Sequence, residues 1–260
     1  MTDPTTTFNR LRPRLQGIAY RMLGAVAEAE DVVQDAWLRW HEATQDTIDN
    51  AEAWLVTITT RIAIDRLRAA KVQREHYVGY WLPEPVLTDA PSTPEQTKEL
   101  SDDVSVAFLF MLERLAPEAR AAFLLREERP RFAVSRDAHH QLLRGFAEAL
   151  SRGDFAAMNG MLAENAELIG DGGGIVPSFG KPLLGGQRIA QLFYATHLRF
   201  GSGVRVELAM VNGEWALLRF IDGVLESAQS YETDGERITR IHVQRNPEKL
   251  ARLAAAFQGH

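Results

Sequence analysis

Apolar residues recur at three- and four-residue spacing through residues 5–75 and at two-residue spacing from Val204 onward, so the chain carries helices and strands in separate blocks. Between the blocks, residues 77–97 hold Pro83, Pro85, Pro91 and Pro94. Each proline removes a backbone donor and pushes its predecessor toward extended geometry, so this stretch predicts a linker. Helical spacing returns over residues 101–127 in two pieces parted near Ala116, where Pro117 suits the first turn of a new helix. Neither piece is long enough to fold alone.

Beyond Asp137 the spacing predicts two helices, residues 137–151 and 154–164, then a strand-like stretch, a glycine-rich loop and a helix over residues 186–200. Val204, Val206, Leu208 and Met210 then alternate with other residues, Asn212-Gly213 marks a tight turn, and residues 215–221 return as the hairpin partner. Asp222-Gly223 and Asp234-Gly235 punctuate two further strands. Helices followed by a meander of strands is the α+β order. The expected fold class is therefore multidomain: an all-α part, then an α+β part with an antiparallel sheet.

A length of 260 residues accommodates two ordinary domains, and 45% hydrophobic with 25% charged residues is the balance of a folded chain. The absence of cysteine excludes disulfides, thiolate metal sites and thiol redox sensing. No apolar run approaches the roughly 20 residues of a membrane span, and MTDPTTTFNR lacks the order of a signal peptide. The expected compartment is the cytoplasm, with no membrane partner. A net charge of −6 opposes nucleic-acid binding at long range, so any such contact has to come from a local patch.

One patch lies in residues 53–74. Trp54, Leu55, Ile58, Ile62 and Ala69 fall on one side at about 100° per residue and predict a core face. A second stripe, Thr57, Arg61, Ile64, Arg68 and Lys71, lines an exposed edge with three cations and a hydroxyl. Cations in a row neutralise successive phosphates while smaller residues approach bases, although the same stripe also suits a plain solvated face. In the preceding helix, residues 27–40, Val33, Ala36, Trp37 and Trp40 face inward. Glu28, Asp31, Asp35 and Leu38 form an acidic outer stripe with an apolar tip, suited to a basic partner surface or to ordinary solvent.

AEDVVQDAWLRW (29–40) followed by AWLVTITTRIAIDRLRAAKVQRE (53–75) closely resembles region 2 of the extracytoplasmic-function sigma factors. The resemblance implies binding to core RNA polymerase through Asp31, Gln34, Asp35 and Leu38 at the β′ clamp helices. It also implies binding to promoter DNA at the −10 element through Thr57, Arg61, Arg68, Lys71, Arg74 and the loop 41–50. A polar loop between two such helices suits capture of an unstacked base.

Three further signatures, YVGYWLPEP (77–85), DGGG (171–174) and NPEKL (246–250), resemble the subgroup whose C-terminal domain is SnoaL-like and tunes the sigma part. This implies regulatory contacts at Trp81, Leu82, Pro83, Asp171, Gly172, Gly173, Gly174, Asn246 and Pro247. Local chemistry offers plainer readings of the same residues. The linker is stiff, the glycines permit positive φ, and Asn246-Pro247 is an N-cap followed by a first helical residue. Trp81 and Leu82 exposed on a linker would nonetheless call for a surface to pack on. Ile175 stands where the subgroup usually has a basic residue.

The implied division is region 2 at 1–76, a linker at 77–100, a partial region 4 at 101–128 and the SnoaL-like domain at 129–260. MLERLAPEARAAFLLREE (111–128) looks like the start of region 4, yet the helix-turn-helix that should follow, roughly 40 residues, is absent. Either the natural protein lacks reading of the −35 element, or a segment is missing at the junction of Glu128 and Arg129. A real absence would leave weak independent initiation.

The SnoaL-like resemblance implies that the C-terminal α+β domain is a cone with a curved antiparallel sheet, and rival functions reside there. An enzyme would draw on Asp171, Tyr194, His197, Tyr231 and His242, but no pair of them has diagnostic spacing. A sensor would bind a small-molecule ligand in the same domain. His139 and His140 are adjacent and point apart, so no metal is expected, and DGGG lacks the lysine and hydroxyl of a phosphate loop. The expectation is a non-enzymatic chain without cofactor, the chemistry belonging to the polymerase.

Overall fold

A computed structural model describes residues 4–44, 48–75, 77–88, 105–125 and 135–257, with backbone alone for 71–75. The chain divides into two compact units, Met1–His76 with Met111–Arg129, and Tyr77–Phe110 with Pro130–His260.

The first unit is helical. In α1 (Pro4–Leu23) Phe8, Leu11, Leu15 and Met22 recur at helical spacing and are buried against Val32, Val33, Ala36 and Trp40 of α2 (Val26–Glu42). Gly24, with φ of 71°, makes the turn between them. α3 (Ala51–Glu75) closes the bundle through Leu55, Ile62, Ala63 and Leu67. The expected core face of α3 needs correction at one end: Ala69 is exposed, whereas Ala63 and Leu67 are buried. Ala69 lies two positions past Leu67, about 200° around the helix axis, so the face that buries Leu67 turns Ala69 outward.

α4 (Val106–Leu112) and α5 (Pro117–Leu125) are the two short pieces foreseen in the sequence. In the first unit α5 gains the support it lacks alone, because Ala121 and Leu124 join the α1–α3 core. Arg120, 3% exposed, donates to the carbonyls of Leu112 and Met22 and pairs with Glu113 at 2.6 Å.

The second unit is α+β. Helices α6 (Arg136–Arg152) and α7 (Phe155–Met161) are N-capped by Ser135 and Asp154, whose side chains accept from Ala138 and Ala157. The helix expected to reach residue 164 stops at Met161, since Leu162 already opens β1 (Leu162–Asp171), and the pairing of β1 with β6 outweighs local helical spacing.

β2 (Leu183–Leu184), α8 (Gly186–Phe200), β3 (Val204–Val211), β4 (Glu214–Ile221), β5 (Val224–Thr233), β6 (Ile238–Gln244) and α9 (Pro247–Phe257) complete the unit. The sheet order is β2-β1-β6-β5-β4-β3. Asn212-Gly213 and Asp222-Gly223 all have positive φ, the geometry of the tight hairpins expected there. The sheet is mixed: the β3–β6 meander and the β1–β2 pair are antiparallel, and β1 runs parallel to β6. The intervening helix and hairpins give the chain the length that a parallel return requires.

Alternation sends each strand's side chains to two faces. Leu168, Leu217, Tyr231, Ile241 and Val243 pack with α6, α7 and α8 through Phe146, Met158 and Phe193. On the other face Leu218, Phe220 and Ala228 pack with Leu250 and Leu253 of α9. Asp171, Gln244 and His242 share that second face, because Asp171 pairs with Gln244 and Gln244 with Ala228.

Candidate functional site

On α2 the acidic edge is partly neutralised from within. Arg66 of α3 reaches Asp35 at 2.8 Å and Asp31 at 3.3 Å. Burial works against its charge, but the hydrogen bonds to Asp35 and Asp31 prevail and hold its pKa above the ordinary arginine value. Gln34 and Leu38 stay exposed, and the acidic oxygens remain at the surface beside them.

The start of α3 is set by Asn50, whose side-chain oxygen accepts from Ala53 N at 3.0 Å. Where this cap meets the loop, a cleft of about 400 Å³ opens between Ile48, Asp49, Asn50, Trp54, Thr57, Ile58 and Arg61, so one carboxylate shares its lining with the cation. Its floor is apolar, with Trp54 set against buried Trp40 at 5.5 Å between ring centroids. Its rim carries the Thr57 hydroxyl, bonded to Ala53 O, and the Arg61 guanidinium, which has no hydrogen bond or ion pair among the described residues. A slot with an aromatic floor, a hydroxyl and a cation fits a planar base next to a phosphate.

The basic stripe is not uniformly open. Arg68 pairs with Glu118 of α5 at 2.6 Å and with Asp65 at 3.2 Å, and these bonds raise its pKa. Lys71 and Arg74 lie on helical backbone with side chains outside the described residues, and residues 45–47 of the expected 41–50 contact lie outside the described residues altogether.

In the second unit the linker segment 77–88 is tied onto the sheet. Asp171, fully buried at the end of β1, accepts from Tyr77 Oη at 2.7 Å through one oxygen and from the backbone N–H of Leu82 at 2.9 Å through the other. Gln244 donates to Asp171 and to the carbonyls of Leu82 and Pro83. Lys249, one turn into α9, donates to Asp171 at 2.8 Å and to Leu82 O at 2.6 Å, its ammonium 4.1 Å from the centre of the Trp81 ring. Leu82 is fully buried.

Asn246 both caps α9 at Glu248 N and donates to Tyr77 Oη, so its capping reading and its linker contact hold together. Burial and the neighbouring Asp171 carboxylate push the Tyr77 phenol far above its ordinary pKa. Gly173 and Gly174 have φ of 63° and 73°, and a Cβ there would press on Asn246 and Val78; at Gly172 it would meet the Val176 carbonyl. The segment ends along the β3 edge, where Leu87 bridges Val211 and Asn212 N donates to Val86 O.

Trp81, Leu82, Pro83, Asp171, the three glycines, Asn246 and Pro247 are therefore gathered around one linker-binding site, as residues. Tyr77 and Lys249, which lie within two of the quoted signatures but were given no contact of their own, belong to it too, as does Gln244, which no signature covers. Lys249 stands three positions after Asn246, on the same helix face, which was the available signal. Ile175 is exposed and supplies no charge to the site.

The five enzyme candidates are dispersed. Asp171 is filled by the linker. His242 is buried on Glu232 at 2.8 Å, and Tyr231 points to the opposite face, its hydroxyl on Gln229. Tyr194 and His197 lie on α8. No helix among the described residues is long and apolar enough to cross a membrane. They contain no metal-competent cluster of histidine and acidic side chains either.

Residues 7–72 match the family Sigma-70 region 2. The extracytoplasmic-function RNA polymerase sigma factor SigJ of Mycobacterium tuberculosis is 31% identical, the match covering 91% of this chain and 86% of the relative. Spanning 274 positions, that match is longer than this chain, so it opens gaps opposite residues that SigJ has and this chain lacks. A probable sigma factor of the same class, SigI of M. tuberculosis, is 28% identical over 99% of this chain and 98% of its own length. The crystal structure of M. tuberculosis SigJ superposes with a TM-score of 0.75 at 28% identity, covering 95% of this chain and 98% of that one. The chain thus belongs to the extracytoplasmic-function RNA polymerase sigma factors of the SigJ type.

Proposed function

We propose that the first unit recruits core RNA polymerase through the α2 edge and opens promoter DNA at the −10 element through α3. Family membership implies core polymerase and promoter DNA as partners. The finer assignment is that Asp31, Gln34, Asp35 and Leu38 meet the β′ clamp helices, with Arg66 keeping the two aspartates in register. The observation that carries the DNA reading is the cleft beneath Asn50, Trp54, Thr57 and Arg61. A base leaving the stack, at a few kcal/mol, gains an aromatic floor there and Arg61 gains a phosphate. Thr57, Arg68, Lys71 and Arg74 extend the same contact.

The second unit, SnoaL-like, is the regulatory domain. It holds the linker at the Asp171 site, and the strength of that hold sets how freely the sigma part engages the polymerase. This divides the chain into region 2, linker, partial region 4 and regulatory domain at the boundaries given above. Only residues 126–134 separate α5 from the Ser135 cap of α6, too few for a reader and a recognition helix. The chain works in the cytoplasm without catalysis of its own, reads the −10 element rather than the −35 element, and takes a small molecule in the regulatory domain.

The decisive experiment is reconstitution with core polymerase on a fork template carrying a single-stranded −10 element. The expected result is a salt-sensitive complex that Arg61→Ala weakens and Leu38→Ala disrupts at the polymerase step. Failure to associate with core polymerase at low ionic strength overturns the reading.

A further inference from the structure

A cavity of about 820 Å³ opens between the sheet and α8, mainly on the face that carries Leu168 and Val243, with Pro247 and Leu250 of α9 reaching its wall. Its walls are apolar, with Leu168 and Val243 on the sheet, Leu192 and Phe193 on α8, and Phe179 from the loop after β1. That volume lies within the usual range for drug-sized ligands.

Its polar pole is built from three strands' ends. Glu226 is gripped by two arginines: Arg219 at 2.6 and 2.8 Å on one oxygen and Arg245 at 2.6 Å on the other. Burial would raise the Glu226 pKa, but the two cations more than offset it and keep the carboxylate charged. Two guanidiniums on one carboxylate leave one positive charge uncompensated. Arg219 Nη1 and Arg245 Nη2 have no hydrogen-bond partner among the described residues, although the two side chains are only 12% and 30% exposed. Arg199 adds a third cation at the cavity wall.

Phe200 and Val224 line the cavity and remain solvent-exposed, Val224 at 70%, so apolar surface reaches its mouth on the side away from the Arg219–Arg245 pole. A ligand that suits both needs an apolar body and one anionic head. We propose that this cavity binds an amphipathic monoanion, a carboxylate on a hydrophobic or polycyclic body, with the head on Arg219 and Arg245. This rests on the reading of the second unit as a small-molecule module and gives that ligand its chemical class.

Anthracene-2-carboxylate is a suitable probe, titrated by fluorescence anisotropy onto the full chain beside its neutral amide. The carboxylate is expected to bind roughly tenfold to a hundredfold more tightly than the amide, the scale of charge-assisted hydrogen bonds. Arg245→Gln should abolish that preference. Ala195→Trp, at an exposed position on the cavity side of α8, should block both probes without changing the thermal midpoint. Equal affinity for carboxylate and amide, both blocked by Ala195→Trp, leaves a ligand cavity standing and overturns the anion class. Binding of neither probe, or binding that Ala195→Trp does not touch, overturns the anion site and with it the small-molecule reading of this domain.

Discussion

Lys249 Nζ lies 2.8 Å from Asp171 Oδ2, and the carboxylate it pairs with is wholly removed from solvent. The remaining Asp171 contacts come from Tyr77 Oη and from the backbone N–H groups of Leu82 and Gly173, with Gln244 closing the set. A carboxylate with this many donors is stable in the interior, and its loss takes the counter-charge from the half-buried Lys249 ammonium. The linker is held by charge and hydrogen bonds as much as by the burial of Leu82, so its attachment responds to single substitutions.

Asp171→Asn keeps the shape and removes the charge. Breaking a buried pair costs about 3–5 kcal/mol. The Leu82 amide, bonded to Asp171, should then exchange with solvent deuterium at least tenfold faster, as should its neighbours between Tyr77 and Val86. Amides of the β4–β5 hairpin serve as the internal reference. Unchanged exchange at Leu82 would remove Asp171 as the anchor.

Arg61 and Arg68 look equivalent along the helical stripe but differ in space. Arg61 has no partner among the described residues, whereas Arg68 has two carboxylates. Arg61→Ala should lower the slope of log affinity against log salt on single-stranded −10 DNA by about 0.7, the value for one phosphate contact. Arg68→Ala should change the slope by less than half of that, because DNA has to displace Glu118 to use it. Glu118→Ala should bring Arg68 up to the Arg61 level. Equal slopes for the two arginine variants, with no effect of Glu118→Ala, would show that the ion pair does not compete with DNA.

These two arginines also show where sequence reading reached its limit. Periodicity alone placed Val33, Ala36 and Trp40 in the core of α2, and the Asn-Gly and Asp-Gly turns and the Asn246 cap were legible because each is set by residues adjacent in the chain. Glu118 lies 50 positions from Arg68, and Gln244 and Lys249 lie more than 160 positions from Leu82. Their meeting depends on the α5 packing and on the parallel β1–β6 register, neither of which leaves a local trace. The helix misread past Met161 has the same origin, since β1 is fixed by its ladder partner.

Arg120 is a buried ion of the first unit, tied to the carbonyls of Leu112 and Met22 and to Glu113. Arg120→Ala takes one donor from the carbonyls of Leu112 and Met22 and the cation from Glu113. The expected cost is about 3–5 kcal/mol in urea unfolding of the first unit, with α5 detached. Arg120→Met, which keeps the stem and packs better, should recover part of this. A loss below about 1 kcal/mol for the alanine variant would mean that α5 is held by Ala121 and Leu124 alone.

Glu214, at the start of β4, gives the second unit a pH dependence. Burial pushes its carboxyl up to about 7, Arg136 opposing and Glu232 adding to the shift, against an ordinary value of 4.5. The folded state therefore binds the proton more tightly than the unfolded chain does. The stability this confers is complete below the ordinary value and is lost as pH rises through about 7. At about 1.4 kcal/mol per pH unit the loss amounts to roughly 3 kcal/mol. Glu214→Gln keeps a neutral group of the same shape, so its stability relative to the parent chain should climb across that interval and level off above it. His139, whose pKa is lowered mainly by burial, titrates in both proteins and cancels in the difference. A difference curve that stays flat from pH 4.5 to beyond pH 7 would place the Glu214 carboxylate in water rather than in the sheet.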